Sequence, residues 1–118
     1  MEEALDLARA KDAKERMAGV ERHHQFLEAS SKSLSLAEVA SLVDCCMDLL
    51  KDGNFRISQG ALQALSSAAV LSGEHFKLHL NALIPAIVER LGDGKQPVRD
   101  AARQLLLTIM EVRTIGLL

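Results

Sequence analysis

The sequence predicts an all-α fold, an α-solenoid of about three helical hairpins and six helices, on two observations. The stretch DGNFRISQGALQAL, Asp52 to Leu65, returns as DGKQPVRDAARQLL, Asp93 to Leu106, at an offset of 41 residues. In both, an Asp-Gly pair breaks the preceding helix, polar residues follow, and a small residue (Ala61, Ala102) stands four before a leucine (Leu65, Leu106). A weaker third copy, KERMAGVERH, sets Arg16, Gly19 and His23 against Ser58, Ala61 and Leu65 at an offset of 42. The second observation is composition: 48% of the residues are apolar, with no Trp, no Tyr and three Phe (Phe26, Phe55, Phe76). The core must then be Leu, Ala, Val and Ile, which suits helix packing. A period near forty with two helices per unit indicates repeats of the HEAT or armadillo kind. The 118 residues form one domain, with repeats at about 1–31, 34–72 and 74–112 and a tail at 113–118. Three repeats are about the fewest that stand alone, so modest stability is expected.

Glu2 to about Arg9 reads as a short helix that frays, with acids in its first turn facing the positive end of the helix dipole. Asp12-x-x-Glu15 is a capping-box pattern that starts the next helix, to about Ser30. Its apolar positions Met17, Val20, Phe26 and Leu27 are interrupted by His23 and His24, which read as surface or interface residues. Ser30, Ser31, Lys32 and Ser33 make a polar linker, and Ser35-x-x-Glu38 is a second capping box. From Leu36 to about Leu50, Val39, Leu42, Val43, Cys46 and Leu49 or Leu50 recur at threes and fours and form a core face.

After Asp52-Gly53, the helix from Phe55 to about Leu71 places Ile57, Ala61, Leu65, Ala68 and Leu71 on one face, and Gly60 and the alanines admit a close neighbour. Ser72-Gly73 closes that hairpin. From Glu74 to about Leu91 the core face is Leu80, Leu83, Ile84, Ile87 and Leu91, and Pro85 predicts a kink near Asn81, whose carbonyl loses its donor. The last helix begins with Pro97 at its first position, where the missing N–H costs nothing, and runs to about Val112. It crowds Leu105, Leu106, Leu107, Ile109 and Met110 together, and RTIGLL follows without a polar cap. An end of this kind favours self-association through the last repeat.

Net charge is −2, which gives no global attraction to nucleic acid or to an anionic membrane. The charge is unevenly placed: the turn regions Arg9–Arg16, Lys51–Arg56 and Asp93–Asp100 carry net +3 and the remainder −5. Stacked hairpins align equivalent turns, so one edge should be basic. The acidic N-terminus has no apolar run of signal length and no window approaches a membrane span. The adjacent Cys45 and Cys46 are no disulfide framework, and together these features read as a cytoplasmic chain.

Catalytic patterns are lacking: there is no nucleophile elbow, phosphate loop or dinucleotide fingerprint, and neither an enzyme nor a cofactor is expected. His75 and His79 stand at metal-ligand spacing, yet the zinc-protease pattern would need Glu where Phe76 stands. They read as solvated or partly buried histidines, and stoichiometric zinc in purified protein would be required to revive a metal site. Cys46 lies on the apolar stripe as a small buried hydrophobe.

The turns are the functional candidates. Lys11 and Lys14 at the first, Asn54, Phe55 and Arg56 at the second, and Lys95 and Gln96 at the third would line one edge suited to an acidic protein partner. Phe55 either packs against the core as a staple or stands out as an aromatic anchor.

ARAKDAKERMAGVERHHQFLEASSKSL and the run from LVDCCMDLL to DAARQLL together resemble the first TOG domain of plant CLASPs, the cytoplasmic linker-associated proteins of microtubules. The likeness covers Met1 to about Val112. It implies a paddle of HEAT repeats that binds the tubulin heterodimer, or microtubules, through its intra-repeat turns and resides at the cytoskeleton. Lys14 matches a tubulin-contacting lysine of the first turn, Asn54 and Phe55 fall in the second, and Lys95 in the third.

Two departures stand against the family pattern. Many TOG domains carry Trp immediately before the position of Lys14 as their main anchor, where this chain has Ala13, so lower affinity is expected. A full domain also has six repeats, and three are expected here, as in its N-terminal half. The competing expectation is a general HEAT adaptor that docks a partner on its last repeat without binding tubulin.

Overall fold

A computed structural model describes the backbone of residues 2–29 and 34–117 and the side chains of residues 4–27 and 34–111. The helices are α1 Glu2–Ala8, α2 Ala13–Ala29, α3 Leu36–Leu49, α4 Phe55–Leu71, α5 Gly73–Phe76, α6 Leu80–Arg90 and α7 Gln96–Leu117, with a 3-10 turn at Lys77–His79 between α5 and α6. No strand occurs among the described residues. Helix α4 lies at the centre, packed between α2 and α7 in one layer. Helices α1, α3 and α5 form the other, with α1 against α3 and α3 against α5. The slab measures 44 × 31 × 21 Å, and its thin dimension is two helix diameters.

The predicted stripes form the core. Val39, Leu42, Val43, Cys46, Leu49 and Leu50 of the third helical stretch are buried, as are Ile57, Ala61, Leu65 and Ala68 of α4. Each fully buried leucine contributes about 2 kcal/mol of transfer free energy. Ser35 and Glu38 complete both halves of their capping box. A Cβ on Gly60 would overlap Val20 Cγ1, so this glycine lets α2 and α4 meet. Ser72 ties the two ends of the second hairpin together by a route the sequence did not suggest: its Oγ accepts from Leu34 N–H at 2.5 Å and donates to Leu34 O at 3.3 Å.

Several expectations need correction. Helix α1 does not stand apart to fray, because Ala4 and Ala8 are buried against its neighbours. Asp12 caps α2 through Lys14 N–H at 3.1 Å and not through the Glu15 backbone expected of a capping box. His23 is no surface residue. It is 1% exposed, and neither ring nitrogen has a hydrogen-bond partner, whereas His24 is half-buried.

The stretch from Glu74 to Leu91 is not one helix kinked at Asn81. It breaks earlier, at Lys77–His79, where His79 takes φ −104° and ψ 0°. Leu91 is 36% exposed and falls off the core face, since it caps α6 where the chain turns away. Helix α7 starts at Gln96, so Pro97 holds the second position, where its missing donor is still one of the unpaired first four. The same helix continues to Leu117, five residues past the expected end, and takes in most of the RTIGLL tail. The Ser30–Ser33 linker lies outside the described residues.

Candidate functional site

The turns repeat one local structure. Asp12 Oδ1 accepts from Lys14 N–H at 3.1 Å, Asp52 Oδ1 from Asn54 N–H at 2.9 Å, and Asp93 Oδ1 from Lys95 N–H at 2.9 Å. An aspartate side chain bonded two residues on mimics a backbone turn, so each repeat presents the residue at Asp+2 in the same way. Lys14, Asn54 and Lys95 are those residues, and all three are exposed. Asn54 also caps α4, its Oδ1 accepting from Arg56 N–H at 3.0 Å.

Side chains then tie the turns together. Arg16 donates to Asp52 Oδ2 at 2.6 Å and to the Ala10 and Lys11 carbonyls at 3.2 and 2.5 Å, fixing the first turn to the second. Arg90 donates to the Leu50 carbonyl at 3.1 Å and lies 3.6 Å from Asp93, which joins the second to the third. Lys95 Nζ stands 5.3 Å from the Phe55 ring centroid and Arg56 Cζ 5.9 Å from it, a separation at which a cation is attracted to the ring face.

The seven candidate residues therefore sit on three neighbouring turns. Lys11, Lys14, Asn54, Arg56, Lys95 and Gln96 are exposed, and Phe55 is half-buried. Phe55 packs against the core, one of the two alternatives left open by the sequence, and its ring also meets Lys95 and Arg56. Gln96 is tied down in part, donating to Asp100 at 2.6 Å and accepting from Arg99 at 2.5 Å. Beside Phe55 a groove of about 480 Å³ runs between α2 and α4, with Met17, Val20 and Gly60 among its lining.

Sequence reasoning missed Arg16 and Arg90 as organisers of the edge. Both fall where a solvated charge is the default, although the recurrence of Asp at 12, 52 and 93 offered a signal. Replacing Asp52 with alanine removes the Arg16 partner and the bond that shapes the turn, and should cost about 2 kcal/mol in chemical denaturation. Asp44→Ala, which removes an exposed pair with Arg9 at 3.6 Å, should change stability by less than about 0.5 kcal/mol.

The remaining chemistry is sparse. Cys45 and Cys46 are both buried, and burial pushes each thiol up, which leaves them unreactive as thiolates at neutral pH. His75 and His79 are both partly buried: His75 Nδ1 lies 3.1 Å from the Leu34 carbonyl, while His79 Nε2 is buried without a partner. No group of three metal-ligating side chains occurs among the described residues, and none of their helices is long and apolar enough to cross a membrane.

No family profile matches the chain. A CLIP-associated protein of Arabidopsis thaliana is 80% identical to it over 112 residues, 95% of this chain. In sequence the chain is a CLASP-like segment. It spans 8% of the length of that relative, so the match concerns one segment of a much longer protein. The CLASP-like segment is also 29% identical, over 85% of its length, to the mouse TOG array regulator of axonemal microtubules protein 1, of which it spans 6%. In fold it superposes on the crystal structure of the MAST/Orbit N-terminal domain with a TM-score of 0.84 and 26% identity. That superposition covers 97% of the CLASP-like segment and 50% of the solved chain, which places it among HEAT-like TOG solenoids.

Proposed function

We propose that this segment is a tubulin-binding element of a microtubule-associated protein and that it acts at the cytoskeleton. Its contact surface is the edge formed by Lys11, Lys14, Asn54, Phe55, Arg56, Lys95 and Gln96. The observation that carries this reading is the alignment of the three turns: one aspartate-shaped turn recurs three times, and Arg16 and Arg90 hold the copies side by side. The exposed cations Lys11, Lys14, Arg56 and Lys95 on neighbouring turns suit an acidic protein surface, where charge complementarity sets orientation and association rate. The kinship with a protein named for axonemal microtubules supports the choice of partner. Binding acts without catalysis, by contributing one anchoring surface to a longer protein that stabilises or organises microtubules.

Size-exclusion chromatography with unpolymerised tubulin tests the reading. Co-migration at low ionic strength that weakens at moderate salt is expected, because exposed charges are screened over about 10 Å at 0.1 M. Separate elution at low salt would contradict tubulin binding by this segment.

A second surface concerns self-association. Leu107 and Met110 of α7 are 49% and 63% exposed. Large apolar side chains grouped on one helix favour association of the isolated chain. Sedimentation at several concentrations should give a weight-average mass that rises with concentration, and Leu107→Lys with Met110→Lys should abolish the rise.

A further inference from the structure

The geometry points to a second docking site that adjoins the turn edge at Gln96 and runs away from it: the groove between α4 and α7 binds an extended, uncharged polypeptide segment of a partner protein through that segment's backbone. The groove has a volume of about 630 Å³. Its walls carry Gln59, Gln63 and Ser66 from α4 and Gln96, Asp100 and Gln104 from α7. The side-chain amides of Gln59, Gln63 and Gln104 make no hydrogen bond to any described residue and are open to a ligand. Each amide offers a donor and an acceptor, which match the C=O and N–H that one residue of an extended chain turns to the same side.

Spacing selects the kind of ligand. Glutamines four apart on a helix are separated by about 6 Å along its axis. Two residues of an extended chain advance about 6.6 to 6.8 Å. Successive glutamines on α4 can thus meet alternate residues of a chain laid along the groove, while Gln104 reaches across from the other wall. A bound helix would bond its own backbone internally and leave these amides unused.

Charge narrows the ligand further. Arg56 is the only charged residue of α4, and the only charge lining the groove is Asp100, already bonded by Gln96 at 2.6 Å and 3.8 Å from Arg103. A charged ligand side chain finds no complementary partner there. The groove then continues toward Thr108 along Leu27, Val70 and Leu71, a cleft of about 330 Å³ that can seat one apolar side chain at the end of the segment. From Gln96 to Thr108 the run is about 18 Å, room for about five extended residues.

The test uses a pool of capped hexapeptides randomised over Ser, Thr, Gln and Leu at each position, passed over the immobilised protein and read by mass spectrometry. Retention on the wild-type protein at least fivefold above that on Gln63→Ala with Gln104→Ala is expected, with loss of retention when alternate peptide nitrogens are methylated. Lys14→Glu with Lys95→Glu should retain the pool like wild type, which separates this groove from the tubulin edge. Both exposed glutamine changes should preserve the far-ultraviolet circular dichroism spectrum, so that lost retention is not lost folding. Equal retention by wild type and the glutamine variant, or by the methylated and unmethylated pools, overturns the proposal.

Discussion

Gly19→Ala should detach α1 from α2 and lower the stability of the chain by about 3 kcal/mol, at the upper end of what overpacking costs. A Cβ on Gly19 would stand 2.7 Å from Ala8 Cα and 2.9 Å from the Ala4 carbonyl oxygen, and would overlap Ala8 N outright. These are backbone atoms that cannot rotate aside as a side chain could, so α1 must move as a body. It would take with it the buried Ala4 and Ala8 and the first turn, whose Ala10 and Lys11 carbonyls are held by Arg16. Thermal unfolding followed by circular dichroism should show a lower midpoint and, before it, a loss of helicity no larger than one short helix. Gly53→Ala is the matched control, because nothing lies within 4 Å of a Cβ there.

Acid should destabilise the fold through His23. Its ring lies buried with both nitrogens unpartnered, and burial, ahead of the chain's N-terminal charge and His24, lowers its pKa from 6.5 to about 4. The folded state therefore favours the neutral ring. As pH falls below about 6.5 the unfolded chain takes up this proton while the folded chain does not, and stability declines until about pH 4, where both forms are charged. The loss expected between pH 7 and pH 4 is about 3 kcal/mol from this group alone. His23→Leu keeps an apolar volume without burying a polar ring. It should flatten the pH dependence of the urea midpoint between pH 6.5 and pH 4 and raise stability at pH 5. An unchanged pH profile in the variant would show that other groups govern acid unfolding.

These two sites also mark how far the sequence could be read. Helix α4 runs from Phe55 to Leu71 as its pattern indicates, because the Asn54 cap, the stripe through Ile57, Ala61 and Leu65, and Ser72-Gly73 all agree. Such agreement of local signals makes an element legible. Helix α2 is different. Its neighbours α1 and α4 both cover it, so its buried surface is wider than a single stripe, and His23 lies inside it. The repeat register did set His23 against Leu65, a core position, but polarity argued for the surface. Gly19 carried no sign of its close approach to α1, since that depends on how two helices cross.

Local rules also failed where tertiary contacts decide. Pro85 predicted a kink near Asn81, but it lies inside α6 and the chain breaks instead at Lys77–His79, after His75 has met the Leu34 carbonyl and Ser72 has bonded Leu34. The tail after Val112 lacks a strong stop signal, and α7 carries on through it. At the candidate edge the turns themselves were legible from Asp-Gly pairs and repeat spacing. The Arg16 and Arg90 ties between turns were not, because they join residues 36 and 40 apart in the chain.

The central claim is that the aligned turns form the tubulin-binding edge, and charge reversal at its two ends tests it most directly. Lys14 and Lys95 are exposed, and neither side chain belongs to the core. Lys14→Glu together with Lys95→Glu removes two attractions and adds two repulsions at a partly screened interface, which should weaken binding by about 1 to 3 kcal/mol in total. The Asp12 and Asp93 turn bonds are made by backbone N–H groups and survive both substitutions, so the melting midpoint should stay near that of wild type. Wild type and double variant should be compared for co-migration with unpolymerised tubulin at low and moderate salt. Weakened co-migration of the variant with an unchanged melting midpoint is the predicted result, and equal co-migration of the two proteins would contradict the claim.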